Sequence, residues 1–141
     1  MILIDTSVWI PVLADRQGGF AKRVQNEIGG QEVVLTRFQQ LELLQGCRDE
    51  AQWTRLHDYL EGQDYLEARS STWPGAAKIY FLLRRKGITV RSPIDCCIAQ
   101  IAMEHEALLL HDDHDFDQIG QYFPLYHRRI GHQNAGSSSN V

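Results

Sequence analysis

The stretch Met1-Ile2-Leu3-Ile4-Asp5-Thr6-Ser7-Val8-Trp9 decides how the chain is read. Four apolar residues run without polar alternation and stop at a carboxylate. Such a run reads as a strand buried on both faces, as in a parallel sheet. Asp5 then stands at the carboxyl end of the strand, with Thr6 or Ser7 free to cap the helical turn that follows. Open α/β sheets bind ligands at the carboxyl ends of their strands. Asp5 is therefore placed where a metal or a phosphate is expected.

Outward from this stretch, Pro11 predicts a short turn or a distorted first turn after Asp5. Phe20, Val24 and Ile28 recur every four residues, and Gly29-Gly30 stops their helix. Residues 32–35 read as a second strand. Thr36 and Gln39 form a capping box that opens a helix through about Cys47. Trp53, Leu56, His57 and Leu60 mark the next amphipathic helix, ended near Gly62. Residues 64–68 read as a short strand or an extended link.

Thr72 with Pro74 starts a helix that runs to Gly87 and carries Arg84-Arg85-Lys86 in its last turn, where cations suit the helix dipole. Ser92-Pro93-Ile94-Asp95 combines a cap, a proline at the first position and an acid at the third. Ile94, Cys97, Ile98, Ile101 and Ala102 then keep the helical period. Residues 107–110 read as a buried strand closed by His111-Asp112-Asp113-His114-Asp115-Phe116, and residues 123–127 as a last strand. Residues 131–141 have little to bury and are expected to be disordered. Strands alternating with helices predict one α/β domain over 1–130, with a parallel sheet and helices on both faces.

The 141 residues, 43% hydrophobic and 23% charged, fit one soluble globular domain. No apolar run approaches the roughly 20 residues needed to cross a bilayer. No basic region precedes the first apolar run, so no secretory signal is expected and a cytoplasmic location is. Cys47, Cys96 and Cys97 show no paired metal spacing and read as small buried thiols of a reducing compartment. A net charge of −4 argues against binding nucleic acid by bulk electrostatics alone. It does not exclude a nuclease, because an acidic active site produces the same balance.

The acids are informative by position. Asp5 ends the first strand. Glu42 lies on the helix at 37–47, between Phe38 and Gln45. Asp95 lies in the first turn of its helix, with the small residues Ala99 and Ala102 on its side. Asp113 and Asp115 follow the strand at 107–110. Each alone has a structural explanation: a turn residue, a solvated helical acid, the far end of an S-x-x-D capping box, an acidic turn. Together they define a cluster at strand ends and helix starts. Two carboxylates about 4 Å apart repel by roughly 4 kcal/mol at an effective dielectric near 20, so such a cluster must protonate or bind a cation. All-oxygen ligation suits Mg²⁺ or Mn²⁺. His111 and His114 read as solvated turn histidines, with a supporting place behind the site or a position facing RNA as the alternatives.

The motifs I-L-I-D-T-S-V-W-I, L-E-L-L-Q-G, S-P-I-D-C-C-I-A-Q-I-A and L-L-L-H-D-D-H-D-F-D-Q-I, with R-R-K-G-I-T before the third, resemble those of the PIN domain. They are most similar to the VapC-type ribonuclease toxins of bacterial type II toxin–antitoxin pairs. The resemblance covers about residues 1–127, in order and at the right spacing. It implies a PIN-like three-layer α/β/α sandwich with a central, mostly parallel sheet. It also implies a Mg²⁺- or Mn²⁺-dependent endoribonuclease that cleaves RNA phosphodiesters with a metal-activated water. The family's acids fall on Asp5, Glu42, Asp95 and Asp113, with Asp115 as a further acid beside the metal. Asp112 is adjacent, but the D-x-D-F spacing to Phe116 favours Asp113. Thr6 and Ser7 match the supporting hydroxyl pair. Asp5, Asp95, Asp113 and Asp115 are the implied metal ligands, and Glu42 orients the water.

RNA would need cations around this acidic site. Arg84, Arg85 and Lys86 lead the candidates, ahead of Lys78, Arg48 and Arg55. The resemblance also implies a homodimer and a cognate VapB-like antitoxin. Two other readings compete. One is an aspartate-dependent phosphatase-like enzyme, although Ser7 stands where such enzymes carry a second acid. The other is a non-catalytic α/β module that binds metal or a partner.

Overall fold

A computed structural model describes residues 1–131. Strand β1 (Ile2–Ile4) is wholly buried, as its unbroken apolar run requires. It leads directly into α1 (Thr6–Ala14), whose N-cap is Asp5 itself: the carboxylate accepts from the Ser7 N–H. Neither Thr6 nor Ser7 caps this helix. Nor is there the short or distorted turn that Pro11 suggested. Pro11 sits inside α1, one turn from its start, where the missing N–H costs a single intrahelical bond, to Ser7.

Helix α2 (Gly19–Ile28) ends at Gly29, whose φ of +57° is the left-handed conformation glycine adopts freely. Strand β2 (Val33–Leu35) runs into α3 (Arg37–Gln45), opened by the Thr36–Gln39 capping box in full. Helix α4 (Glu50–Glu61), strand β3 (Asp64–Tyr65), α5 (Thr72–Arg85) and α6 (Pro93–Glu104) follow. Strand β4 (Leu108–His111) takes in His111, which is fully buried rather than solvated in a turn. Helix α7 (His114–Tyr122), unforeseen from the sequence, fills the expected acidic turn, and β5 (His127–Arg129) lies later than the strand expected at 123–127. The expectation of a disordered tail lies, Gly131 apart, outside the described residues.

All four strand pairings are parallel, in the order β3-β2-β1-β4-β5. The pleat divides the core. Leu3, Val34 and Leu109 face the layer containing Ile79, Leu83, Ile98, Ile101 and Phe116, from α5, α6 and α7. Ile2, Ile4 and Leu110 face Val8, Phe20 and Val24, from α1 and α2. Leu35 packs with Leu43 and Leu60 of α3 and α4. The result is a three-layer α/β/α sandwich. From β1 the chain builds outward first to β2 and later to β4, so the crevice between the β1 and β4 carboxyl ends is a topological switch point, the usual ligand position of such sheets. Among the described residues no helix is long and apolar enough to cross a membrane.

Candidate functional site

The switch point collects the acids. Asp5, 4% exposed, ends β1. Its Oδ2 accepts from the Ser7 N–H at 3.1 Å and the Ser7 hydroxyl at 2.6 Å, and its Oδ1 accepts from Gln39 Nε2 at 3.4 Å. Ser7 Oγ accepts in turn from the Asp112 N–H at 2.9 Å, tying the end of β1 to the end of β4. Burial pushes the Asp5 carboxyl up, the bonds from Ser7 and Gln39 oppose it, and the charge of Asp113 adds to the rise.

Asp95, Asp113 and Asp115 each present a carboxylate oxygen within 4.8 Å of the other two. The fold accounts for each. Asp113 is the N-cap of α7 and accepts from the Asp115 N–H at 2.9 Å. Asp115 is 2% exposed and accepts from the Arg91 N–H at 3.1 Å. Asp95 rides the first turn of α6, where buried Ala99 and Ala102 keep the helix close to the sheet. The helix cap does not use Asp95: Ser92 Oγ accepts from the Ile94 N–H at 3.3 Å, and the Asp95 carboxyl hydrogen-bonds to Asp115 instead. Burial, that shared hydrogen bond and the charges of Asp113 and Asp5 raise Asp95 to about 9. A like-charge cluster of this kind favours a proton or a cation, and its hard oxygen donors suit Mg²⁺ or Mn²⁺.

Glu42 approaches from α3, half-buried, and accepts from Thr6 Oγ1 at 3.4 Å. Burial raises its carboxyl first, then the charge of Asp5, with Asp113 adding to the rise. Asp5 is outside the trio within 4.8 Å, yet close enough for its charge to raise both Asp95 and Glu42.

Two residues at this site carried no functional signal in the sequence. Arg91 is highly exposed, and its Nη2 lies 3.2 Å from Asp113 and its Nε 3.8 Å from Asp115. Nothing in the residues before Ser92 marks it. Gln39 was legible only as a helix cap. Arg84, Arg85 and Lys86, by contrast, do not contact the acids. Their cationic groups lie over the rings of Tyr80, Phe81 and Tyr122, at 5.7, 5.7 and 5.1 Å.

A second cluster, His111, Asp117 and His127, also has metal-ligand composition. Its hydrogen bonds point elsewhere. The Asp113 N–H donates to His111 Nδ1 at 3.2 Å, so the proton of the neutral ring is on Nε2, which lies 3.0 Å from His127 Nδ1. That proton occupies the line along which an ion would bind. Burial lowers the His111 pKa to about 4, which keeps the ring neutral. His111 therefore supports Asp113 from behind. His114 is exposed. Of the three free cysteines, Cys96 is buried, while Cys47 and Cys97 are only partly so.

The PIN domain family model matches residues 2–122. A VapC ribonuclease of Mycobacterium bovis and Ribonuclease VapC11 of Mycobacterium tuberculosis are each 34% identical over 124 residues, spanning 86% of this chain and 92% of theirs. Among solved structures, VapBC2 from Rickettsia felis bound to a promoter DNA fragment superposes with a TM-score of 0.74 at 14% identity, over 93% of this chain and 100% of that one. VapBC-1 from nontypeable Haemophilus influenzae gives 0.72 at 22%, over 92% and 98%.

Proposed function

The chain belongs to the PIN domain family, and from that membership we propose that it is a divalent-cation-dependent endoribonuclease, the toxin of a VapBC-type toxin–antitoxin pair. The observation that carries this reading is the approach of Asp95, Asp113 and Asp115 to within 4.8 Å of one another at the switch point, beside Asp5. These four acids would hold Mg²⁺ or Mn²⁺. The bound cation would neutralise charge on the phosphodiester and make a nearby water more acidic.

The chain's own groups do the rest. Ser7 and Gln39 fix the Asp5 carboxylate in one orientation. Glu42, its affinity for a proton raised by burial and by Asp5, orients the attacking water and takes its proton. Arg91, at the rim of the acids, meets a phosphate oxygen. The water oxygen bonds to phosphorus as the bond to the 3′ oxygen breaks, leaving a 5′-phosphate and, once that oxygen is protonated, a 3′-hydroxyl. Arg84, Arg85 and Lys86 bind RNA away from the chemistry. Exposed Phe81 and Tyr122 beneath them offer faces on which unpaired bases stack.

The partner reading is supported by a groove of about 820 Å³ between α1, α2 and α4, with Trp9, Val12, Leu13, Val24, Leu56 and Tyr59 in its walls. Trp9 Nε1 is the one buried side-chain donor without an acceptor among the described residues. An antitoxin segment with an apolar face would fill the groove. Exposed Trp73 on α5 supplies apolar surface for a homodimer.

The decisive assay incubates the purified protein with structured RNA in Mg²⁺ or Mn²⁺, then with chelator, beside Asp95→Asn. Cleavage should require the cation, leave 5′-phosphate ends and fall at least about 100-fold in the variant. Cleavage that survives chelation, or full activity of well-folded Asp95→Asn, would remove this reading. A binding module would cleave under neither condition.

A further inference from the structure

We infer that Gln39 is a positioning residue, one side chain that both caps α3 and aims the Asp5 carboxylate. The inference rests on the reading of the acids as a divalent-cation site.

The orientation of the Gln39 amide is settled by its surroundings. Its Oε1 accepts from the Thr36 N–H at 2.7 Å and from the Thr36 hydroxyl at 2.6 Å. Both partners are donors here, so the oxygen must face Thr36 and the NH₂ group must face away. That leaves Nε2 directed at Asp5 Oδ1, 3.4 Å distant. Gln39 and Thr36 are 0% exposed and Asp5 is 4% exposed, so water does not compete easily for these bonds. A neutral N–H is well chosen. A lysine or arginine here would pair with Asp5 and cancel the charge that a cation needs.

The bond also closes a chain across three strand ends. It runs from Thr36, after β2, through Gln39 to Asp5, after β1. From there it passes through Ser7 to the Asp112 N–H, after β4. Glu42 lies three residues beyond Gln39 on α3, on the same side of the helix, and receives the Thr6 hydroxyl. The cap therefore fixes the start of α3 relative to Asp5, and with it the place of Glu42. At the other end, the Ser7 bond to Asp112 holds the residue before Asp113. A residue legible only as a helix cap thus sets the spacing of acids from three different elements.

Two variants separate capping from positioning. Thr36→Val removes the hydroxyl from the cap and leaves Nε2 facing Asp5. Gln39→Met keeps the length and removes the amide. Each is followed by thermal melting and by Mn²⁺ titration calorimetry. Both should melt below wild type. Mn²⁺ affinity should fall about 10-fold or more in Gln39→Met and stay within about 2-fold of wild type in Thr36→Val. Equal losses in the two variants, or none in Gln39→Met, would overturn the inference. A wild type that binds no Mn²⁺ would overturn the cation-site reading beneath it, a different and distinguishable result. Should Gln39→Met fail to fold, the side-chain amide resonances of Gln39 decide. In wild type they should exchange slowly with solvent, and they should shift in Asp5→Asn. Fast exchange, or resonances indifferent to Asp5→Asn, would refute the hydrogen bond.

Discussion

At neutral pH the Asp95 carboxyl keeps its proton, since burial and its acidic neighbours raise it from 3.8 to about 9. Between those values the folded chain holds a proton that the unfolded chain has lost. Stability therefore falls as pH rises through the window and levels off above it. Asp5 and Glu42, also raised, contribute slopes of the same sign. His111, lowered from 6.5 to about 4, works oppositely: the unfolded chain takes up a proton that the folded one refuses, so stability rises with pH between those values. Above pH 6.5 the acids shape the curve, joined towards pH 9 by Cys96 and Cys97, whose thiols burial pushes up and whose slope has the same sign. In chelator, wild type should lose melting temperature from pH 6.5 to 9, and Asp95→Asn should lose less. Parallel curves for the two proteins would show that Asp95 is not the group that holds the proton. The four acids were legible singly, because strand ends and helix starts are local patterns. The hydrogen bond between Asp95 and Asp115 was not, because it depends on the approach of α6 to α7. Arg91 was illegible for the same reason, since its partners lie 22 and 24 residues away.

The elements that read correctly carry their signals in adjacent residues. The apolar run of β1, the capping box of α3 and the Ser-Pro start of α6 are of this kind. Helix α7 does not advertise itself: its buried positions include Asp115 beside Phe116 and Ile119, so the apolar period is too short to see. Strand β5 is masked by Arg128 and Arg129, exposed charges suited to an edge strand. What joins α7 to β5 is a glycine. A Cβ on Gly120 would overlap the His127 ring, while one on Gly75 would meet the end of the Gln100 side chain at 2.6 Å. The imidazole is held by His111 and by the sheet, whereas Gln100 can swing aside. Gly120→Ala should therefore destabilise the fold by about 1–3 kcal/mol. Gly75→Ala should cost clearly less, as denaturant titration would show. Equal effects would mean that the α7–β5 joint yields as freely as the surface of α5.

Over the whole molecule a net charge of −4 leaves RNA binding to local cations. Arg84, Arg85 and Lys86 form such a cluster at the end of α5, ahead of the link to Arg91 and the acids. Replacing Arg85 and Lys86 by Gln should weaken RNA binding for all sequences alike. It should also flatten the plot of log K against log salt by about 0.7 for each phosphate no longer neutralised. An unchanged slope would assign RNA to another face. The sandwich followed from the order of strands and helices, but the groove between α1, α2 and α4 did not, because it depends on side chains from separate helices meeting on one face. The central claim is that Asp95, Asp113 and Asp115, beside Asp5, form a cation site at which a bound cation replaces the proton of Asp95. Calorimetric titration with Mn²⁺ at pH 7, in buffers of different ionisation enthalpy, tests it directly. Saturable binding should release about one proton per protein as the cation displaces it from Asp95, and Asp95→Asn should release none and bind more weakly. Binding without proton release, or equal binding by the variant, would contradict the account.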